Sequence, residues 1–187
     1  MAVNFLEKLP KPGKASINQG LTSPSAAFMI GLVGDPRTSY TGDCQDPTNP
    51  AFKKLVETRS VGPMRVTGLK AALASLDRVF ADVKAEFPDL HAAIGSAGML
   101  CCRKKRLGGG KLGATPSNHS FGTAVDLTIS GVLDKQGDNF TLRGLLMLAK
   151  FFNAHGWVWG VSFPTEDAMH FEAARETLLK WRADGLI

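Results

Sequence analysis

The apolar positions of the chain fall into a few windows with a clear period. Leu69, Leu73, Leu76, Phe80 and Val83 recur at three and four, which predicts an amphipathic helix starting near Val66 and closed by Pro88 shortly after Phe87. Leu142, Leu145, Leu146, Ala149 and Phe152 predict a second helix over Thr141 to His155, with Gly156 as its stop. A third, from Ala173 to Ala183, offers Leu178, Leu179 and Trp181 for packing and stops at Gly185. Between the first two lies a different pattern. Thr123 to Ile129 alternates and is rich in β-branched residues, so it reads as a strand, and the small apolar stretch Ala92 to Cys102 reads as a central strand or hairpin. Residues 130–139 form a polar, turn-rich connection. The sum is an α+β domain: a small, mainly antiparallel sheet with helices packed around it.

The first third has no such period. Pro10, Pro12, Gly13, Gly20 and Pro24 interrupt it, residues 31–37 make a short apolar piece ending in a turn, and residues 51–59 suit a short helix after Pro50. We read residues 1–63 as an extension packed on a core of residues 64–187, the whole 1–187 forming one domain. Gly31 to Gly34 lacks the Gly-Lys-Ser/Thr of a phosphate loop. Asp43, Cys44 and Asp46 read as a solvated loop, not a second metal site.

Composition narrows the class. With 44% hydrophobic and 21% charged residues the chain is an ordinary globule, neither disordered nor membrane-embedded. No stretch approaches the roughly 20 apolar residues of a membrane span. The N-terminus lacks the apolar core of a secretory signal, so the expectation is synthesis in the cytoplasm, with access to any substrate outside the cell through lysis or a dedicated export route. The cysteines Cys44, Cys101 and Cys102 are odd in number and include an adjacent pair, which argues against a disulfide framework; Cys101 and Cys102 read as small buried side chains. Of the formal +5 charge, the run Arg103 to Arg106 carries four positive charges and leads into a glycine-rich stretch, a flexible basic loop over 103–111. Without interleaved aromatics it is not read as a nucleic-acid site. It suits either contact with anionic wall polymers and substrate carboxylates or a plain solvated loop.

The chemistry is concentrated in Ser117-Asn-His119-Ser-Phe-Gly122-Thr-Ala124-Val-Asp126, answered by Asp167-Ala-Met-His170-Phe-Glu172. Catalytic zinc takes three protein ligands from His and Asp/Glu and leaves a position for water. His119, Asp126 and His170 fit that count for one Zn2+ ion. On a continuous helix His119 and Asp126 would stand roughly 10 Å apart along the axis, too far to share a metal at about 2 Å. The chain must therefore reverse between them, and Gly122 is the residue suited to the turn. Asp167, three before His170, is placed to act as general acid and base on a water, with Glu166 as the competing neighbour; its rival role is to cap the turn before His170. Glu172, two beyond His170, would share its face on a strand and orient an imidazole. His155, near the end of a helix, reads as structural, and His91 carries no functional case.

The pattern S-x-H-x-x-G-x-A-x-D followed by D-x-x-H resembles the zinc peptidases that include D-alanyl-D-alanine carboxypeptidases, vancomycin-resistance dipeptidases and phage L-alanyl-D-glutamate endopeptidases, whose metal-centred fold is shared by lysostaphin and the hedgehog signalling domain. The resemblance runs from about Gly95 to Trp181 and more faintly back to Val61. It implies zinc ligation by His119, Asp126 and His170, Asp167 as base, and a peptidoglycan stem peptide as substrate, cut at D-Ala-D-Ala or L-Ala-D-Glu by a phage lysin, a secreted antibacterial toxin or a wall-remodelling enzyme. Where many members carry G-Y-R-S this chain reads Gly98-Met-Leu-Cys-Cys-Arg103, so Arg103 is the counterpart of the polarising arginine, with Arg106 second. Ser117 is read as substrate-binding or as turn chemistry after Pro116. Trp157 or Trp159, in the tryptophan-glycine segment, would wall the substrate groove. The alternative for the whole chain is a non-catalytic, zinc-stabilised module that binds peptide or wall.

Overall fold

The computed structural model describes residues 3–107 and 111–187. In chain order it runs β1 (Lys8–Pro10), α1 (Ala26–Val33), α2 (Pro50–Lys53), β2 (Val56–Val61), β3 (Met64–Leu69), α3 (Lys70–Glu86), α4 (Pro88–Ala93), β4 (Ile94–Gly98), β5 (Lys104–Arg106), β6 (Leu112–Pro116), β7 (Ala124–Ile129), β8 (Val132–Leu133), β9 (Phe140–Leu142), α5 (Arg143–Ala154), β10 (Trp157–Trp159), β11 (His170–Ala173) and α6 (Arg175–Ala183). The fold is α+β. Its main sheet has the order β10-β11-β7-β4, antiparallel throughout, with β8 paired to β7; β1-β9, β2-β3 and β5-β6 form three separate ribbons.

The two long periodic windows form α3 and α5; α3 packs on the β2–β3 ribbon and on α5, and α5 packs on β7 and β10 of the main sheet. Leu73, Leu76, Val79 and Val83 of α3 and Leu145, Leu148 and Phe152 of α5 have no exposed surface. Phe152 stacks on Phe171 of β11 at 4.0 Å between ring centroids, and Phe171 stacks in turn on Trp159 of β10 at 5.9 Å. Removing one such ring from a packed core costs about 3–5 kcal/mol. The column therefore fixes β10 and β11 against α5, and β11 carries a candidate ligand at its first residue.

The differences from the sequence reading lie where strand and helix periods overlap. Met64 and Val66 are buried on either side of exposed Arg65, a period of two that continues into the helical repeat at Leu69, so β3 precedes α3 and the helix opens only at Lys70. The helix expected over 51–59 is a single turn, α2, followed by β2, whose Val56, Thr58 and Val61 favour a pleated strand. The apolar piece at 31–37 is the end of a full helix, α1, capped by the Ser25 hydroxyl and stopped by Gly34 at φ 79°. Asp43 and Asp46 are exposed, as a solvated loop requires.

One expectation is overturned. Cys44 and Cys101 are joined as a disulfide, with Cα atoms 5.0 Å apart. An isolated β-bridge between Gln45 and Cys102, with backbone hydrogen bonds of 3.0 and 3.2 Å, brings the two cysteines together. A pairing made by a tertiary bridge between segments 57 residues apart leaves no mark in cysteine count or spacing. Cys102 is free and buried. Among the described residues no helix is long and apolar enough to cross a membrane.

Asp134, in the connection after β8, is 4% exposed and keeps one carboxylate oxygen without a partner among the described residues. Burial, with the nearby charges of Glu166 and Asp138, pushes its pKa up to about 6. Because the folded state holds this proton more tightly than the unfolded chain, stability falls as pH rises from the ordinary carboxylate range through about 6. Asp134→Asn is therefore expected to raise the melting temperature at pH 7.5 by about 3 °C and by clearly less at pH 4.5. Equal shifts at the two pH values, read by scanning calorimetry, would refute this.

Candidate metal centre

Register brings the first two groups together. β11 pairs antiparallel with β7 so that His170 lies directly opposite Asp126. Cross-strand partners share a face at neighbour distance, and a slip of one residue would send one of them to the other face. The third group enters from the chain just ahead of β7. Asn118–Phe121 form a 3-10 turn carrying His119, which ends at Gly122 with φ 62° and ψ 29°, the left-handed region. The reversal demanded by the seven-residue spacing is thus made at that glycine. A Cβ there would also lie 2.8 Å from the Leu69 backbone nitrogen, which itself donates to the Gly122 carbonyl at 2.9 Å.

The inward atoms form a near-equilateral triangle. His119 Nε2 lies 3.2 Å from His170 Nδ1 and 3.2 Å from Asp126 Oδ1, and His170 Nδ1 lies 3.1 Å from the same oxygen. For metal-ligand bonds of about 2 Å the edges of a tetrahedron are about 3.3 Å. The outward ring nitrogens are already engaged: His119 Nδ1 faces the Met99 carbonyl at 2.8 Å and His170 Nε2 faces the Glu172 carboxylate at 2.9 Å. A neutral imidazole has one N–H, and these acceptors assign it to the outward nitrogen. Two lone pairs and a carboxylate oxygen then point at one another, which is favourable only around a positive charge. The residues present therefore fit a divalent cation of the zinc class.

The charges respond accordingly. Burial disfavours ionising Asp126, yet the two imidazoles beside it hold its carboxyl far below the usual range. Burial likewise opposes a charge on His170, and Asp126 and Glu172 on its two nitrogens overcome this, raising its pKa to about 10. A proton or a metal ion can supply the positive charge that the cluster asks for.

Asp167 and Glu166 are separated by their hydrogen bonds. Both oxygens of Glu166, 1% exposed, accept backbone N–H groups, from Ala168 at 2.9 Å and Asn139 at 3.1 Å. Glu166 thus builds the turn before β11. Asp167 accepts from Gln136 Nε2 at 3.0 Å on one oxygen, while the other is buried without a hydrogen-bond partner among the described residues. Burial pushes its pKa up to about 6; the charges of Asp126 and Glu166 push the same way, and those of His170 and His119 oppose them. Gly160 allows this turn to close, since a Cβ there would stand 2.7 Å from the Asp167 carbonyl oxygen.

The other expected residues divide. Arg103 is half-buried and within electrostatic reach of Asp126 and Asp167; burial, followed by the charge of Arg106, lowers its pKa. Arg106 is exposed and donates to the Gly42 carbonyl at 3.4 Å. Ser117 is buried and its N–H donates to the Arg103 carbonyl at 2.9 Å, so it ties the basic strand to the His119 turn. Trp157 and Trp159 have no exposed surface; their indole N–H groups donate to Ser75 Oγ at 3.0 Å and to the Ala168 carbonyl at 2.7 Å. Both are core, and neither walls a groove. The expected basic loop is a hairpin of β5 and β6 where it is described; residues 108–110 of the 103–111 stretch lie outside the described residues. The sequence reading missed the Met99 carbonyl, a backbone group that no residue type announces, and Gln136, which sits in a polar connection of no distinct pattern. His155, paired with Asp82 at 2.7 Å, and His91, edge-on to Phe80, are structural.

Comparison with known families agrees with the geometry. The family model for D-alanyl-D-alanine carboxypeptidase matches residues 112–173, from the start of β6 to the end of β11. Residues 112–173 are thus similar to the D-alanyl-D-alanine carboxypeptidase family. That segment contains His119, Asp126, Asp167 and His170, and leaves Arg103 and the N-terminal third outside. This similarity supports a peptidase that acts on peptidoglycan. No curated protein matches it.

Gly122→Ala is expected to cost more than about 2 kcal/mol, since it adds a left-handed backbone penalty of about 1 kcal/mol to a contact with rigid backbone. Urea unfolding of the variant measures this. A loss below 0.5 kcal/mol, which is within the usual range of neutral surface changes, would show that the turn does not need glycine.

Proposed function

We propose that the protein is a zinc-dependent peptidase that hydrolyses a peptide bond of peptidoglycan stem peptides, of the D-Ala-D-Ala carboxypeptidase or L-Ala-D-Glu endopeptidase type. The observation that carries the reading is the triangle of His119, Asp126 and His170 atoms, 3.1–3.2 Å on a side, within electrostatic reach of Asp167, which keeps a buried oxygen with no hydrogen-bond partner among the described residues. His119 Nε2, Asp126 Oδ1 and His170 Nδ1 would hold one ion. When bound, zinc supplies Lewis acidity and brings the pKa of water toward neutrality.

The chain's own residues then share the remaining work. Asp167 takes a proton from the attacking water, and the oxygen of that water adds to the carbonyl carbon. As the C–N bond breaks, Asp167 returns the proton to the departing nitrogen, so the products are a carboxylic acid and an amine. Burial raises the Asp167 pKa in the metal-free protein, the direction that suits a group which must accept a proton and then release it. Arg103 lends positive charge to the oxyanion that develops at the carbonyl. Glu166, committed to backbone N–H groups, serves the turn and not the chemistry.

Mass spectrometry of purified peptidoglycan fragments after incubation tests the reading. We expect cleavage at one stem-peptide bond, abolished by chelator and restored by zinc. Asp167→Asn should lower kcat by about 10²–10⁴ with zinc content unchanged, and Arg103→Ala by about 10². A zinc-loaded protein that binds fragments but cuts none, with Asp167→Asn indistinguishable from the parent, would sink the enzyme reading in favour of a binding module.

A further inference from the structure

Glu172 is the group through which the N-terminal segment reaches the metal centre. It is 2% exposed, and its carboxylate takes three donors: His170 Nε2 at 2.9 Å and Asn118 Nδ2 at 2.8 Å on one oxygen, and the Ser23 hydroxyl on the other. The Asn118 amide also donates to the Pro24 carbonyl at 3.1 Å, so one amide grips both Glu172 and the backbone beside Ser23. This piece of chain is itself anchored. The Arg175 N–H donates to the Thr22 carbonyl at 2.8 Å, and the Thr22 N–H donates to the Glu176 carboxylate at 2.9 Å. On its other side Ser25 caps α1.

A buried carboxylate is tolerated when its lone pairs are filled by donors, and here two of the three donors come from outside the metal triangle. Their effect passes through His170. With Glu172 fixed, the neutral form of His170 keeps its proton on Nε2, so that its Nδ1 lone pair faces Asp126 and His119. A displaced or re-aimed Glu172 would free the ring to take the other tautomer, whose proton on Nδ1 blocks that lone pair.

We propose that Ser23 and Asn118 are positioning residues of the metal centre, acting through Glu172 to keep His170 Nδ1 open toward the ion, so that residues 22–25 of the N-terminal extension belong to the site. The proposal rests on the metal-centre reading above. Ser23 is exposed as a residue, so removing its hydroxyl opens no cavity in the core.

The test is zinc affinity of the full chain, measured without substrate by competition with a chromophoric chelator, together with thermal melts in excess chelator. Ser23→Ala and Asn118→Ala are each expected to weaken zinc binding about tenfold, the low end of the effect of losing an outer-shell partner. Ser23→Thr, which keeps the hydroxyl, should stay within twofold of the parent. A purely structural role predicts a lower melting temperature in chelator with zinc affinity unchanged. Affinity within twofold of the parent for Ser23→Ala would overturn the proposal. If that variant does not fold, Glu172→Gln, of nearly equal volume, reads the same quantity with the same two outcomes. A parent that binds zinc but cuts no peptide removes the peptidase and leaves this proposal standing; a parent that binds no zinc removes both.

Discussion

Two imidazoles and an aspartate oxygen, none of which gains by leaving water alone, meet within 3.2 Å of one another in a setting where His119 is 3% exposed and His170 is 7% exposed. Such a cluster is stable only if something positive sits among its lone pairs. Much of the fold can be understood as satisfying that condition. The β7–β11 register sets Asp126 beside His170. The stacked rings of Phe152, Phe171 and Trp159 hold β10 and β11 rigidly on α5. The left-handed residue at Gly122 returns His119 to the mouth of the same strand pair.

Around this centre, adjacent acids have been given different tasks by their hydrogen bonds alone. Glu166 and Asp167 are neighbours of the same charge, yet the first is consumed by two backbone donors and the second keeps an oxygen free of any. Glu172 is a third case, buried completely enough that it must be paid for by three donors. Position in the sequence says little about how each acid is held; the count of donors around each one distinguishes them.

Much of this was legible in the residues. The spacing of His119 and Asp126 demanded a reversal, and Gly122 makes it; the repeat from Leu69 to Val83 gave α3, although the helix opens at Lys70 and not near Val66. What stayed hidden shares a physical cause, namely contacts between distant segments. The Cys44–Cys101 link depends on a bridge at Gln45 and Cys102. The burial of Trp157 and Trp159 depends on partners at Ser75 and Ala168. The strands β2 and β3 stabilise each other across a short turn, and each alone carries a pattern that also suits a helix. The link from Ser23 to Glu172 spans 149 positions, beyond the reach of any local period.

The Met99 carbonyl has a consequence of its own. Because a peptide oxygen, and not a side chain, faces His119 Nδ1, the acceptor is not encoded by the residue type at position 99, although the buried Met99 side chain has its own place in the core. What must be preserved instead is the path of the chain just after the bulge between Ser96 and Gly98. Heritable change at this part of the site would therefore come through insertions, deletions or a lost glycine, which alter where the backbone goes.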